Sequence, residues 1–412
     1  MAVPDKDYMR ANTSDIFPAD GQYTASGQWK RLRYLEHLLD QDLSALGVLP
    51  PGHQWAQLPG HIENFVGYCQ LPMGVAGPLV LRHAEEQRRL YVPLATTEGA
   101  LIASYQRGMR MTAASGGIRA QSIRQSVSRC PLFRFSSLDE AITFMRWALE
   151  QEDQCHLLVR SRSRYAQLES IHPVLEGNEI WLCFRYRTAD AAGQNMVTLC
   201  TEAIASWLAR ESPAPVASWY LDGNLSGDKK ATQQALLDVR GHRTVAECRI
   251  SAEALQEWVQ SSAEAMERCW RGGVLGAIQS GATGALAHAA NGLAALFLAT
   301  GQDVACVAEA ANGILRMEAH SDGSLYASVT LPNLIVGTVG GGTGFPGPQM
   351  ALRMLGCLGP GQGPLLAEIA AATVLAGELS LTAAMAGGQF GRAHALLGRK
   401  RTRVLPEKPA SS

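Results

Sequence analysis

No sign of charge dominates this sequence. It has 36 Lys and Arg against 37 Asp and Glu over 412 residues, a net charge of −1. No overall field draws it to nucleic acid or to a membrane surface. Its 9 cysteines are scattered, with no C-x-x-C pair and no zinc-type spacing. They read as small buried side chains in a reducing compartment, and no metal is expected. The opening MAVPDKDYMRANTSD lacks the apolar run of a signal peptide. No fixed-period repeat is present. The expectation is a soluble, cytoplasmic protein without nucleic-acid or membrane partners. With 47% hydrophobic residues, the chain can fill a large core and two or three structural units.

One stretch, residues 272–301, carries no Lys, Arg, Asp or Glu. Its length would allow a membrane span, but Gln279, Ser280, Thr283, His288 and Asn291 interrupt it. A fully buried helical core is the better reading. Apolar spacing predicts further helices over 29–46, 97–115 (capped by Thr96 or Thr97), 194–211 and 364–390. Ser137 and Glu140 form a capping box ahead of another helix. Residues 66–80 read as strand, turn, strand. Residues 155–189 alternate like paired strands around an EGNE turn. Helix, strand pair and helix over 130–220 suggest a small α+β unit inserted into a larger one.

Charges in unusual settings point to chemistry. Glu98 lies in PLATTEGALIAS and Asp303 in LATGQDVACV, both hemmed in by apolar sequence. Such a carboxylate is paired or has a raised pKa. Lys229 sits in LDGNLSGDKKATQQ, with Asp222, Asp228 and Lys230. If Glu98, Asp303 and Lys229 meet, the lysine can stabilise an oxyanion while a carboxyl donates a proton. The plainer alternative is three unrelated surface charges. Gly342, Gly344 and Gly347 satisfy G-x-G-x-x-G, but Pro346 lies inside it and Glu368 falls in a helical pattern. A tight glycine loop suits them better than a dinucleotide fingerprint. SRSRYAQ sets Arg162, Ser163 and Arg164 beside Tyr165, either a phosphate grip or a solvated strand face.

The runs ENFVGYCQLPMGVAGPL, LATTEGALIASYQRG, DAAGQNMVT, DGNLSGDKK, AHAANGLAALFLATGQD, GTVGGGTGFPGPQMALRMLG and AGELSLTAAMAGGQFGRAH occur in this order from Glu63 to His394. Together they resemble the catalytic portion of the 3-hydroxy-3-methylglutaryl-CoA (HMG-CoA) reductase family. The DKK and GQNM runs are similar to its animal and archaeal branch. The resemblance implies reduction of a thioester to an alcohol by two hydride transfers from NADPH, giving mevalonate and CoA without a metal. Lys229 matches the oxyanion-stabilising lysine and Glu98 the acid at the aldehyde stage. Asp303 matches the aspartate that tunes both, and His394 the histidine that protonates the CoA thiolate. Ser163, Arg164 and Tyr165 match residues facing the adenosine 2′-phosphate. Asp190, Ala192, Gly193, Asn195, Val339, Gly340 and Gly341 match other dinucleotide positions. Ser104, Arg107, Arg129, Asp222, Asp228, Lys230, Arg271, His288, Asn291 and Ser380 match the acyl-CoA site.

The implied fold is α+β: a large domain around a long buried helix, with an inserted ferredoxin-like small domain. Residues 1–62 would be an N-terminal helical segment, 63–129 and 230–400 the large domain, and 130–220 the NADPH unit. Residues 221–229 would form the connecting loop and 401–412 a loose tail. The family's site forms across the interface of a homodimer, or of a higher oligomer. This sequence departs from the family at the acyl pocket. Asp222 stands where a serine binds the glutaryl carboxylate, and Arg271 replaces a lysine. Leu286 replaces an asparagine, and Cys306-Val307 a Gln-Asn pair. These changes leave open a different acyl thioester, CoA-bound or carrier-bound, reduced by the same mechanism.

Overall fold

The computed structural model describes residues 17–18, 23–83 and 86–388. His394 and the 401–412 tail lie outside the described residues. The chain groups into two units: the described part of 1–71 with Gly344–Pro346, and that of 72–343 with 347–412.

The first unit is built on helix α1, Ala25–Leu39. Spacing places this helix at 29–46, but the Thr24 hydroxyl caps it by accepting from Gly27 N, and Asp40 (φ 50°) ends it in the left-handed region. Arg31 Nε donates to Phe65 O at 2.9 Å, and Gln28 donates to Val66 O at 3.0 Å. These bonds keep residues just beyond 62 with the N-terminal helix.

The second unit begins with strands β1 (Met73–His83) and β2 (Glu86–Ala95), paired antiparallel. The expected strand, turn and strand over 66–80 is one strand from Met73, because Gly77-Pro78 is absorbed in a register shift between Ala76 and Leu79. Helix α2 (Leu101–Ala114) starts later than Thr97: Ala100 is left-handed (φ 72°), and the Thr96 hydroxyl accepts from Glu98 N instead. Strand β3 (Ile118–Arg129) leads to β4 (Leu132–Arg134), α3 (Leu138–Glu150) and α4 (Glu152–Arg162). Ser137 caps α3 as expected, and the Glu140 carboxylate reaches back to Ser136 N.

Paired strands are expected from residue 155, but 155–162 complete α4. Pairing starts at β5 (Gln167–Glu176) and β6 (Glu179–Arg187). The alternation fails there because Cys155 and Val159, four apart, bury one helix face. Helix α5 (Gln194–Glu211) and β7 (Ser218–Tyr220) follow. The strands of this stretch lie in the order β7-β4-β6-β5, all antiparallel.

The rest comprises β8 (Gly241–Ile250), α6 (Ala252–Val259), α7 (Ala263–Gln279), α8 (Ala289–Thr300), α9 (Val307–Ala310), β9 (Ile314–Ala319), β10 (Leu325–Leu334), α10 (Pro346–Met354) and α11 (Gly363–Ala386). All ten strands join one sheet, which is antiparallel apart from a two-residue parallel contact of β1 with β3. Strand β3 bridges its halves, pairing with β8 up to Ser126 and with β6 from Val127.

The long buried helix is α11, and the charge-free stretch 272–301 is not. That stretch breaks between Gln279 and Ala289 into parts of α7 and α8. In α7, Leu275 and Ile278 are 63% and 67% exposed. Helix α11 is long and apolar enough to cross a membrane, yet it is largely buried against β3, β8 and β10 and against α2 and α8. Its Glu368 and Glu378 are buried too, and each accepts backbone N–H bonds, from Ser122 and from Ala287 and His288. Gly108 lets α2 cross α11 at backbone distance: a Cβ there would lie 1.9 Å from Ala376 O.

Candidate active site

The loop after β7 is shaped by its own side chains. Asp222 Oδ1 accepts from Asn224 N at 2.8 Å, and Gly223 O accepts from Trp181 Nε1 at 2.8 Å. Gly227 and Lys229 both take positive φ, 73° and 57°. A lysine in the left-handed region is strained by about 1 kcal/mol and needs anchoring. The anchors are Glu309, whose Oε1 accepts from Lys229 N at 3.3 Å, and Asp303, whose Oδ2 pairs with Lys229 Nζ at 2.9 Å. Asp303 Oδ1 accepts from Ala305 N at 3.1 Å. The bond to Asp303 raises the lysine's pKa, so its cation is fixed and half-exposed. Two of the three singled-out charges do meet.

Beneath the loop lies a buried ion network that sequence reasoning missed in part. Arg129 pairs with Asp222 at 2.6 Å and Asp228 at 3.1 Å, and its other nitrogen donates to Thr198 at 3.1 Å. Arg240 pairs with Asp228, donates to Gln194 Oε1 at 2.6 Å and lies 2.7 Å from Glu309. Burial would push Asp228 up, but Arg240 and Arg129 together hold it below the ordinary carboxylate range. Glu309 goes the other way. Burial outweighs Arg240, and its pKa rises from 4.5 to about 7. Arg240 and Glu309 lay outside the matched runs, and Gln194, inside the GQNM run, was given no role. Glu309 sits in CVAEAANG, the same lone-acid setting that flagged Glu98 and Asp303.

Glu309 makes stability depend on pH. A carboxyl with a raised folded pKa binds more protons folded than unfolded, so its contribution falls as pH climbs from about 4.5 to about 7. Over that window the unfolding free energy of wild type relative to Glu309→Gln should fall by about 3 kcal/mol. Urea unfolding at pH 5 and pH 8 checks this; equal differences at both would refute it. Asp228, with its lowered value, acts only below that window.

Glu98 occupies a different place. Asn291 Nδ2 donates to both its carboxylate oxygens, at 3.1 and 2.9 Å. The two line a cavity of about 440 Å³ with Ser104, Arg107 and His288. Ser380 is at its edge: Ser104 Oγ lies 3.1 Å from Ser380 Oγ, and Arg107 donates to that hydroxyl at 3.0 Å. Burial lowers the pKa of Arg107. The ring of buried Tyr105 lies 5.4 Å from that of His288. Asn291 is in the first turn of α8, while Asp303 follows its last residue, Thr300. Nine residues of helical rise put about 13 Å between those ends. Within one chain, Glu98 and the Lys229–Asp303 pair do not meet.

The dinucleotide-matched loops lie side by side. Thr338 N donates to Asp190 O at 2.8 Å, and a Cβ on Gly337 would meet Ala192 N at 2.5 Å. Gly193 caps α5 with φ 78°, and Asn195 is exposed in its first turn. Val339 is half-buried, and Gly340 and Gly341 take positive φ with open space beside them. The Asp190 carboxylate is spent inside the protein, accepting from Gly361 N and Gly363 N at 2.8 and 3.0 Å. Ser163 caps the end of α4, accepting from Tyr165 N and Ala166 N, so SRSRYAQ is a helix end and not a strand face. Ser163 and Arg164 line a separate cavity of about 520 Å³ with Arg160 and His156, and Tyr165 is exposed nearby. Lys230 is exposed and donates to Asp228 O at 2.8 Å. Arg271 lies on the open side of α7, paired with Glu267 at 2.6 Å.

The profile of the hydroxymethylglutaryl-coenzyme A reductase family matches residues 28–399. The 3-hydroxy-3-methylglutaryl-coenzyme A reductase of Halobacterium salinarum is 40% identical over 344 residues, 82% of this chain and 84% of its own. That of Aeropyrum pernix is 39% identical over 376 residues, 90% of this chain and 89% of its own. The fold is similar to that of the class II enzyme from Streptococcus pneumoniae, solved bound to NADPH: TM-score 0.61, 18% identity, 87% of this chain and 96% of that one. With a profile match over most of its length and relatives at this identity, the chain belongs to the hydroxymethylglutaryl-coenzyme A reductase family.

Proposed function

We propose that the protein reduces HMG-CoA to mevalonate and CoA in two hydride transfers. NADPH supplies the hydride when bound. The observation that carries this reading is the Lys229–Asp303 pair, a fixed, half-exposed cation at the end of the loop. Lys229 stabilises the alkoxide that forms as the thioester and then the aldehyde carbonyl is reduced. Asp303 orients the ammonium. Glu98, steadied by Asn291, donates the proton at the aldehyde stage. His394 is assigned protonation of the departing thiolate by its family position alone.

The residues present suit the dinucleotide. The glycine backbones at 340 and 341 leave room for close approach, and Arg160 and Arg164 have no ion pair among the described residues. Residues 130–220 are proposed as a ferredoxin-like unit inserted in the large domain formed by 63–129 and 230–400. The β7-β4-β6-β5 order with its helices supports that. The acyl-CoA would enter the Glu98 cavity. A second groove along α2, about 660 Å³ and lined by Arg89 and Arg110, suits its phosphates.

The site is proposed to close between two copies of the chain. Glu98, bonded to Asn291, and Lys229, paired with Asp303, lie by opposite ends of α8, which supports a second subunit supplying one of them. Helix α7 offers the covering surface: Leu275 and Ile278 are exposed, and a Cβ on Gly272, Gly273 or Gly276 would meet nothing beyond its own helix within 4 Å among the described residues. Helical glycines of this kind let another backbone approach closely.

A second reading has one observation in its favour. Asp222 already pairs with Arg129, the arginine matched to the acyl-CoA site. NADPH oxidation at 340 nm with HMG-CoA, and with acyl-CoA thioesters lacking the carboxylate, tests both readings. Robust turnover of HMG-CoA supports mevalonate formation, and turnover only of uncarboxylated thioesters overturns it. Asp222→Ser removes one of the two carboxylates paired with Arg129 and should raise kcat/KM for HMG-CoA by about tenfold. An unchanged value would show that Asp222 does not set specificity.

A further inference from the structure

We propose that Cys130 and Cys183 form a reversible disulfide that couples oxidation to the acyl pocket. The strand register places them face to face. Arg129 pairs with Phe184, and Leu132 with Trp181, so the same antiparallel register sets Cys130 opposite Cys183. Leu182 N donates to Pro131 O at 3.0 Å. Pro131 and Leu182 are therefore a hydrogen-bonded pair, and the cysteines beside them a non-hydrogen-bonded one. Such pairs bring Cα atoms to about 4.5 Å, within the roughly 4.4–6.8 Å that a disulfide spans.

The two thiols also bias each other. Interaction with Cys130 holds the Cys183 thiol below its ordinary value against the effect of burial, and Arg185 adds to this. The Cys130 thiol is pushed up. Cys183 is the nucleophile of the pair and Cys130 the resolving thiol. Both line a cavity of about 20 Å³ that also touches Ser226, Gly227, Arg240 and Glu309, the underside of the lysine loop. A space of that size holds about one water, so the oxidant must be small. Hydrogen peroxide fits that class. The Cys183 thiolate attacks one peroxide oxygen, the O–O bond breaks, and Cys183 sulfenic acid and hydroxide form. Cys130 sulfur then displaces the sulfenic hydroxyl as water. Two electrons pass from the sulfurs to peroxide, and a dithiol reductant reverses the change.

The bridge would act through backbone already in the site. Arg129 precedes Cys130, and Cys130 O accepts from Gly223 N at 2.7 Å, one residue after Asp222. Drawing the sulfurs to bond length pulls on both ends of the Arg129–Asp222 pair. The activity consequence rests on the reductase reading; the disulfide does not.

The test uses the full chain, reduced and desalted, then titrated with hydrogen peroxide. Remaining thiols are alkylated and peptides mapped by mass. The expected result is a linked Cys130–Cys183 peptide, with kcat/KM for HMG-CoA down at least tenfold and restored by dithiothreitol. Cys183→Ser and Cys130→Ser should keep their activity through the same exposure. Free alkylation of both cysteines while exposed Cys69 is oxidised would overturn the site. A linked peptide with unchanged activity would overturn the coupling. If no thioester is turned over at all, the linked peptide still decides the disulfide, and only the reductase reading falls.

Discussion

Lys229→Met should cut kcat for NADPH-dependent turnover of HMG-CoA by about a thousandfold, roughly 4 kcal/mol of transition-state stabilisation. The cation matters at the stage when charge appears on the carbonyl oxygen, so KM should move only a few-fold. Stability should hardly change. The pair with Asp303 is half-exposed on both sides, and such pairs are worth at most about 1 kcal/mol. The split between lost rate and kept fold is the diagnostic. Lys229→Arg should not restore the rate, because the broad guanidinium cannot occupy the point position that Asp303 sets for Nζ. Steady-state kinetics with urea unfolding on the same samples measures both. A variant within tenfold of wild type would remove Lys229 from the chemistry.

Arg240→Met should instead unfold the protein readily, lowering stability by about 3–5 kcal/mol. Arg240 is buried and serves Asp228, Glu309, Gln194 and Ser128 O at once. Removing it leaves buried carboxylates facing each other, whose desolvation is no longer offset. Glu309 offers partial relief, since it takes up a proton near pH 7. The loss should therefore be smaller at pH 6 than at pH 8. Arg240→Met with Glu309→Leu should recover part of it, by removing the stranded charge with its partner. Urea midpoints at the two pH values decide the matter: a loss below about 1 kcal/mol at pH 8 would mean that Arg240 bears little of the network.

How much of this was legible in the sequence depends on what each signal measures. A charge-dense polar loop flagged Lys229 and apolar neighbours flagged Asp303, and the fold brings them within 2.9 Å. The same signal was present at Glu309 and went unused, because no matched motif pointed at it. Composition misjudged the helices for a physical reason. It counts charges but not their partners. Helix α11 carries Glu368 and Glu378 and is the buried one, because backbone N–H groups receive both carboxylates. The last turns of α7 carry no charge and are open. Alternation mistook α4 for a strand, since two buried residues four apart look the same either way over so short a run. The Asp222–Arg129 pair could not be read from spacing at all. At its position an aspartate repels a carboxylate substrate unless it is protonated or turned away. The fold turns the aspartate onto the arginine instead.

The length of α8 has a genetic consequence. Suppose one copy of the chain lacks Glu98 and the other lacks Lys229, and each site takes one residue from each copy. Every mixed pair then holds one site with both defects and one with neither. Two inactive alleles would yield a working enzyme when expressed together, while two alleles damaged at the same end of the helix never would.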